Sequence, residues 1–217
     1  MADDDLLPKP PHPLEALVAK LISPDRGEAW AQFRQEMYER RLNRAVEFLD
    51  GAAAESGLTA PELLEQVQAD ERRSELLEVT LTAASRTTSQ DKLRALARVL
   101  AAGITADSDT KVDASFVLKR IIDEMDPPHI RALALIAEQG GFNPGLATGG
   151  TDSLGQWLQG AFPGLGEVSN QVGAFLVANG LITNPFYANG VLSTTALGRM
   201  VLSLVTASGA QADEATE

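Results

Sequence analysis

The chain has no cysteine, which excludes disulfides, thiolate metal sites and a cysteine nucleophile. Histidine is nearly as scarce. His12 lies in a proline-rich lead-in and His129 at a predicted helix start, and neither has the second imidazole or the H-E-x-x-H spacing of a zinc site. No apolar run approaches the roughly 18 to 20 residues that cross a bilayer. The opening Met1-Ala2-Asp3-Asp4-Asp5 lacks the basic region and apolar core of a secretion signal. A cytoplasmic location without membrane insertion is therefore expected. Cations are also in deficit: 18 Lys and Arg stand against 30 Asp and Glu, a formal net charge of -12. That balance disfavours nonspecific attraction to nucleic acid or anionic lipid, and favours solubility or a basic partner.

The usual constellations for chemistry are missing too. Asp107, Asp109 and Asp113 resemble the opening of a calcium loop, but Val112 stands where glycine is needed and Leu118 where a bidentate glutamate belongs. Gly140 to Gly150 is glycine-rich, yet it lacks the Gly-Lys-Ser/Thr ending of a phosphate cradle and follows a helix. Gly164-Leu165-Gly166 reads as a turn, and Ser153-Leu154-Gly155 lacks the glycine pattern of a hydrolase elbow. No catalytic residue, metal or cofactor is predicted.

Apolar periodicity is what the chain does have. Residues 1–13, with four prolines and the Asp run, form a flexible lead-in. Pro13 then opens a short helix with Leu14, Leu17, Val18, Leu21 and Ile22 on one face. A helix this short needs a surface to dock on, either its own body or another chain. Gly27 to Ser56 reads as the longest helix, with Trp30, Phe33, Met37, Ala45, Phe48, Leu49 and Ala52 inward. Arg34, Arg40, Arg41 and Arg44 crowd it. Two readings compete, a basic patch for an anionic partner and a solvated face paired with Glu36, Glu39 and Glu47, and the interleaved acids favour the second.

After Gly57, Thr59-Ala60-Pro61-Glu62 has the T-x-x-E form of a capping box. It leads a helix with Leu63, Leu64 and Val67. Asp70 caps the next, which carries Leu76, Leu77, Leu81 and Ala84. Thr88-Ser89-Gln90-Asp91 begins a helix with Leu93, Leu96, Ala97 and Leu100, stopped at Gly103. Val112, Phe116, Val117, Ile121, Ile122 and Met125 fill one more. These stripes predict a helical body over residues 14–125, with no strand pattern before Leu181.

Residues 126–205 read differently. Asp126 caps a helix whose first turn takes Pro127 and Pro128 without losing a hydrogen bond; Ile130, Leu133 and Ala137 form its face, and Gly140-Gly141 stops it. Thr151, Asp152 and Ser153 offer caps for a helix with Leu154, Trp157 and Leu158, ended by Pro163-Gly164. A third puts Leu165, Val168, Val172 and Leu176 on one side and closes at Asn179-Gly180. Leu181-Ile182-Thr183 and Val191-Leu192-Ser193 are β-prone runs flanking a turn at Asn189-Gly190. A last helix starts near Thr194 and carries Leu197, Val201 and Leu204. The tail, residues 206–217, is rich in Ala, Gly, Asp and Glu and is expected to be disordered.

Helix, helix, helix, two-strand ribbon, helix is the order of a winged helix-turn-helix domain. Leu176-Val177-Ala178-Asn179-Gly180-Leu181-Ile182 resembles that superfamily's recognition helix running into its wing. Leu192-Ser193-Thr194-Thr195-Ala196-Leu197-Gly198-Arg199 is similar to the returning wing strand and closing helix. The resemblance implies a mainly α fold: a helical bundle followed by a winged-helix-like domain with one small β-hairpin. It also implies that Ser169, Asn170 and Gln171 face bases and that Asn184 to Asn189 overlie the backbone. The charge departs from that pattern. Only Arg131 and Arg199 oppose Asp126, Glu138, Asp152 and Glu167 in this region, a net of −2, whereas phosphate contacts need several cations on the docking face.

The function expected from this balance is a protein-interaction module or adaptor with little DNA affinity, binding a protein partner or itself. Its expected surface comprises Asn170, Gln171, Phe175, Asn184, Phe186 and Tyr187, the last two being aromatic residues at a ribbon tip. The alternative is a DNA-binding regulator that borrows cations from the long helix. Lys92-Leu93-Arg94-Ala95-Leu96-Ala97-Arg98-Val99-Leu100-Ala101, Ser115-Phe116-Val117-Leu118 and Asp126-Pro127-Pro128-His129-Ile130 also resemble, in that order, the soluble part of the abortive-infection alpha family of bacterial phage-defence proteins. The tryptophan of that pattern's first helix is absent. The resemblance implies a phage-defence context.

Overall fold

The structure, a computed structural model, describes residues 26–139, 151–183 and 192–206. The lead-in, the Pro13–Ile22 segment, the glycine-rich loop, the ribbon tip with its Asn189-Gly190 turn, and the tail lie outside these residues. The described residues are mainly helical, and the chain divides into two compact units, Met1–Arg44 and Ala45–Glu217.

Helix α1 (Arg26–Ser56) runs through both. In the first unit the expected inward face is only partly covered: Met37 is half-buried. Phe33, predicted inward, is 41% exposed, and Tyr38 and Leu42 are exposed at 64% and 50%. Periodicity identifies residues that share a face, but a face is buried only where another element reaches it. The expected ion pairing is absent, among the described residues, at Arg34, Arg40 and Arg41. Glu36 accepts from Gln32 Nε2 at 3.3 Å and Glu39 from Gln35 Nε2 at 2.8 Å, so glutamines one turn earlier occupy the carboxylates.

In the second unit α1 becomes a core helix, with Phe48 and Ala52 fully buried. It is followed by α2 (Ala60–Gln68), α3 (Glu71–Arg86), α4 (Gln90–Ile104) and α5 (Asp109–Glu124). Their starts follow the sequence. Thr59 N–H donates to Glu62 Oε2 at 2.8 Å while Thr59 Oγ1 accepts from Glu62 N–H, closing the capping box. Asp70 accepts from the N–H groups of Arg72 and Arg73, and Ser89 from that of Lys92. Asp107, Asp109 and Asp113 are ion-paired: Asp107 with Lys111, and the other two with Arg72.

Helix α4 is the axis of this unit. Nine of its 15 residues are buried, and it packs against α3, α5 and the last helix, α9 (Ala196–Thr206). Gly103 does not stop α4, which continues to Ile104. A Cβ there would overlap Leu76 Cδ2 and stand 3.1 Å from Ser115 Cβ, so the glycine is where α3 and α5 close on α4. Arg98 ties the helix ends together. Its Nε donates to Glu55 of α1 at 2.9 Å, and its Nη1 donates at 2.7 Å to Leu204 O, one of the open carbonyls ending α9.

Between α5 and α9 lie α6 (Pro127–Glu138), α7 (Thr151–Ala161), a 3-10 turn (Pro163–Val168) and α8 (Ser169–Ala178). The predicted third helix is shorter than its apolar pattern. Gly166 takes φ 50 and ψ -129, a left-handed geometry that interrupts the helix. Leu165 and Val168 therefore belong to the turn, and Val168 is 52% exposed. Past α8, Gly180 (φ 65) reverses the chain. Ile182 and Thr194 form an antiparallel bridge, flanked by Thr183 N–H to Ser193 O at 2.8 Å and Thr195 N–H to Leu181 O at 3.0 Å. Helix α9 starts two residues later than predicted because Thr195 Oγ1 accepts from Gly198 N–H, which makes it the cap. Its buried positions are Gly198, Val201 and Val205, with Leu197 and Leu204 half-buried.

Candidate interaction surface

Helix α8 is held between α6 and α7. Gly173 brings it onto Leu154 and Leu158 of α7, since a Cβ there would stand 2.9 Å from Leu154 Cδ2. Val172 and Leu176 are buried on the same helix. Asn170 and Gln171 remain on the exposed side.

Both amides nevertheless lie against their own chain. The Asn170 side chain lies over Gly155, where any Cβ would collide with it. Gln171 turns its amide to donate to Glu167 O at 2.8 Å and Val168 O at 3.2 Å. Phe175 is half-buried, its ring centroid 4.2 Å from that of His129. Asn184, Phe186 and Tyr187 lie outside the described residues, so the structure places three of the six expected residues, all on α8.

His129 itself has a defined local role. Its Nδ1 accepts from Asp126 N–H at 2.9 Å, reaching back to the helix start as the third residue of a capping box does. That bond requires an unprotonated Nδ1. Burial pushes the His129 pKa below its ordinary value, and the Lys92 charge adds to the effect, against the opposing pull of Asp126.

A histidine with a depressed folded pKa binds more protons when unfolded, so stability rises with pH. The contribution is complete above the unfolded value of about 6.5 and is lost as pH falls through the lowered folded value. His129→Gln keeps an acceptor at the capping position and removes the titration. Urea midpoints at neutral and mildly acid pH should therefore fall more on acidification for the wild type than for this variant. Equal falls would contradict the assignment.

The cations of this region are turned onto the backbone. Arg131 Nε donates to Pro127 O at 3.4 Å, and Arg199 Nη1 donates to Thr194 O at 2.8 Å. Arg131 also edges an open hollow of about 350 Å³ walled by Pro128, Phe162, Pro163 and Leu165. Helix α8 carries no Lys or Arg. An arrangement of this kind offers hydrogen-bonding amides and apolar edges, with little to hold a row of phosphates.

The sequence did not point to Arg98 or to this hollow. Both depend on segments distant along the chain. No protein-family model, curated protein or solved structure matches the chain.

Proposed function

We propose that this protein is a non-enzymatic, cytoplasmic interaction module or adaptor, with a winged-helix-like C-terminal part of little DNA affinity. Three helices, an antiparallel pairing and a closing helix follow in the order such a domain requires. On this reading the antiparallel pairing of Ile182 with Thr194 is the base of the wing, and α8 is the helix that in a DNA-binding winged helix would enter the major groove. The phage-defence context implied by the helical body's resemblance belongs to the same proposal.

One observation carries the reading. Over residues 126–205 the only two cations are Arg131 and Arg199, and both guanidinium groups bond to nearby backbone carbonyls. Each neutralised phosphate needs a cation and contributes to the salt dependence of binding. A protein partner makes no such demand, and Asn170, Gln171 and the edge of Phe175 suit a polar and aromatic contact.

The regulator reading draws on a different observation: Arg34, Arg40 and Arg41 of α1 are exposed, and no carboxylate among the described residues lies within ion-pair distance of them. Titration of labelled duplex across a salt series separates the two. The adaptor reading expects no specific binding, and the regulator reading expects micromolar or tighter affinity that falls steeply with salt.

A further inference from the structure

The hollow beside Arg131 has a stiff apolar wall. Pro128 stands in the first turn of α6, and Phe162 precedes Pro163, so the chain leaves α7 through an extended residue, Phe162 at φ -133 and ψ 79. Leu165 N–H then donates to Phe162 O at 2.9 Å and closes the turn. With two prolines and a hydrogen-bonded turn around it, an occupant has little backbone to order on binding.

The polar edge is a single cation. Arg131 uses Nε on Pro127 O, which leaves Nη1 and Nη2. No carboxylate among the described residues lies within ion-pair distance of it. One planar guanidinium beside apolar walls is complementary to one carboxylate that carries an apolar group, and it cannot serve a row of phosphates.

Geometry narrows the source of that carboxylate. In an extended peptide successive side chains point to opposite faces, so an acidic residue and its apolar neighbour do not enter one small hollow together. The last residue of a chain carries both groups on one Cα. An apolar cavity of about 150 Å³ holds a benzene ring, so the hollow, at about 350 Å³, has room for an aromatic side chain and the carboxylate beside it. Because the hollow is open, the preceding residues can run out into solvent.

We propose that this hollow binds the aromatic C-terminal residue of a partner protein, its α-carboxylate on Arg131 and its ring against Phe162, Pro163 and Leu165. The proposal rests on the adaptor reading and names the element by which the partner is recognised.

The probe is acetyl-Gly-Phe with a free carboxylate, and the control is its C-terminal amide. When the isotope-labelled full-length protein is titrated, amide signals of Arg131, Ala161, Phe162, Gly164 and Leu165 should shift and saturate at about millimolar acid. The amide should bind about five- to tenfold more weakly. Arg131→Gln should remove that preference, and Arg199→Gln should keep it, since Arg199 is not part of the hollow's wall. No saturable shift at those signals, equal affinity for acid and amide, or a preference that survives Arg131→Gln would overturn the proposal. So would 3-phenylpropanoate or acetyl-Asp-Phe amide binding as tightly as the acid, because a small free carboxylate or an internal acidic segment would then be the occupant. A failed titration leaves the duplex measurement untouched, whereas duplex binding would refute the adaptor reading without altering these shifts.

Discussion

Gly198→Ala is expected to destabilise the protein by about 3 kcal/mol, the upper end of what overpacking costs. The methyl group would overlap Leu181 O and stand 2.8 Å from Thr194 Cγ2. Leu181 O cannot move aside, because it accepts the Thr195 N–H bond that pairs the two strand-like segments. Helix α9 must therefore tilt away from the chain leaving α8, and tilting it loosens Val201 and Val205 in the core. For a chain of this length such a loss lowers Tm by about 6 to 12 °C. Gly160→Ala is the matched control, since that glycine lies in α7 with nothing within 4 Å of the added Cβ. It should be stabilising by about 0.5 to 1 kcal/mol through helix propensity. Thermal melts of both variants check the pair, and equal Tm values would show that α9 does not sit against Leu181 as described.

Leu100→Ala should cost about 2 to 5 kcal/mol, the range for removing a large aliphatic side chain from a packed interior. Leu100 is fully buried on α4, where α3, α5 and α9 converge. Leu42→Ala removes the same atoms from a residue that is 50% exposed, and it should stay within about 0.5 kcal/mol of wild type. Urea denaturation of the two variants measures the difference. A large cost at Leu42 would place that residue in a core its exposure denies.

The contrast between Leu100 and Leu42 shows what could be read from the sequence. Helix starts were legible because capping is local: Thr59 with Glu62, Asp70 and Ser89 act within three residues of themselves. The stripe of α4 was legible because its apolar residues recur at the helical period and other helices cover it. The same period on α1 placed Phe33 inward, where it is 41% exposed. Glycines were ambiguous for a related reason. Gly180 does turn the chain, whereas Gly103 admits two neighbouring helices, and nothing adjacent in sequence separates these uses.

Charged side chains on an exposed helix have several partners at the same spacing. Spacing suggested that Glu36 and Glu39 pair with arginines, yet glutamines compete for the same carboxylates one turn away. Surface ion pairs are worth only about 0.2 to 1 kcal/mol, so a neutral hydrogen bond is enough to change the partner. Arg98, which joins α1, α4 and α9, could not be found by local reasoning because its acceptors are 43 and 106 residues away. Of the candidate surface, the sequence identified the exposed amides of α8. It gave no sign that Gly155 and the carbonyls of Glu167 and Val168 already engage them.

The account turns on whether a face with two backbone-bound arginines can hold a polyanion. Fluorescence anisotropy of labelled random-sequence duplex, followed from low to physiological salt, measures this directly. The prediction is no saturable binding at micromolar protein even at the lowest salt, where electrostatic attraction is strongest. Micromolar or tighter binding with a steep salt slope, lost on replacing Arg131 and Arg199 by glutamine, would contradict it.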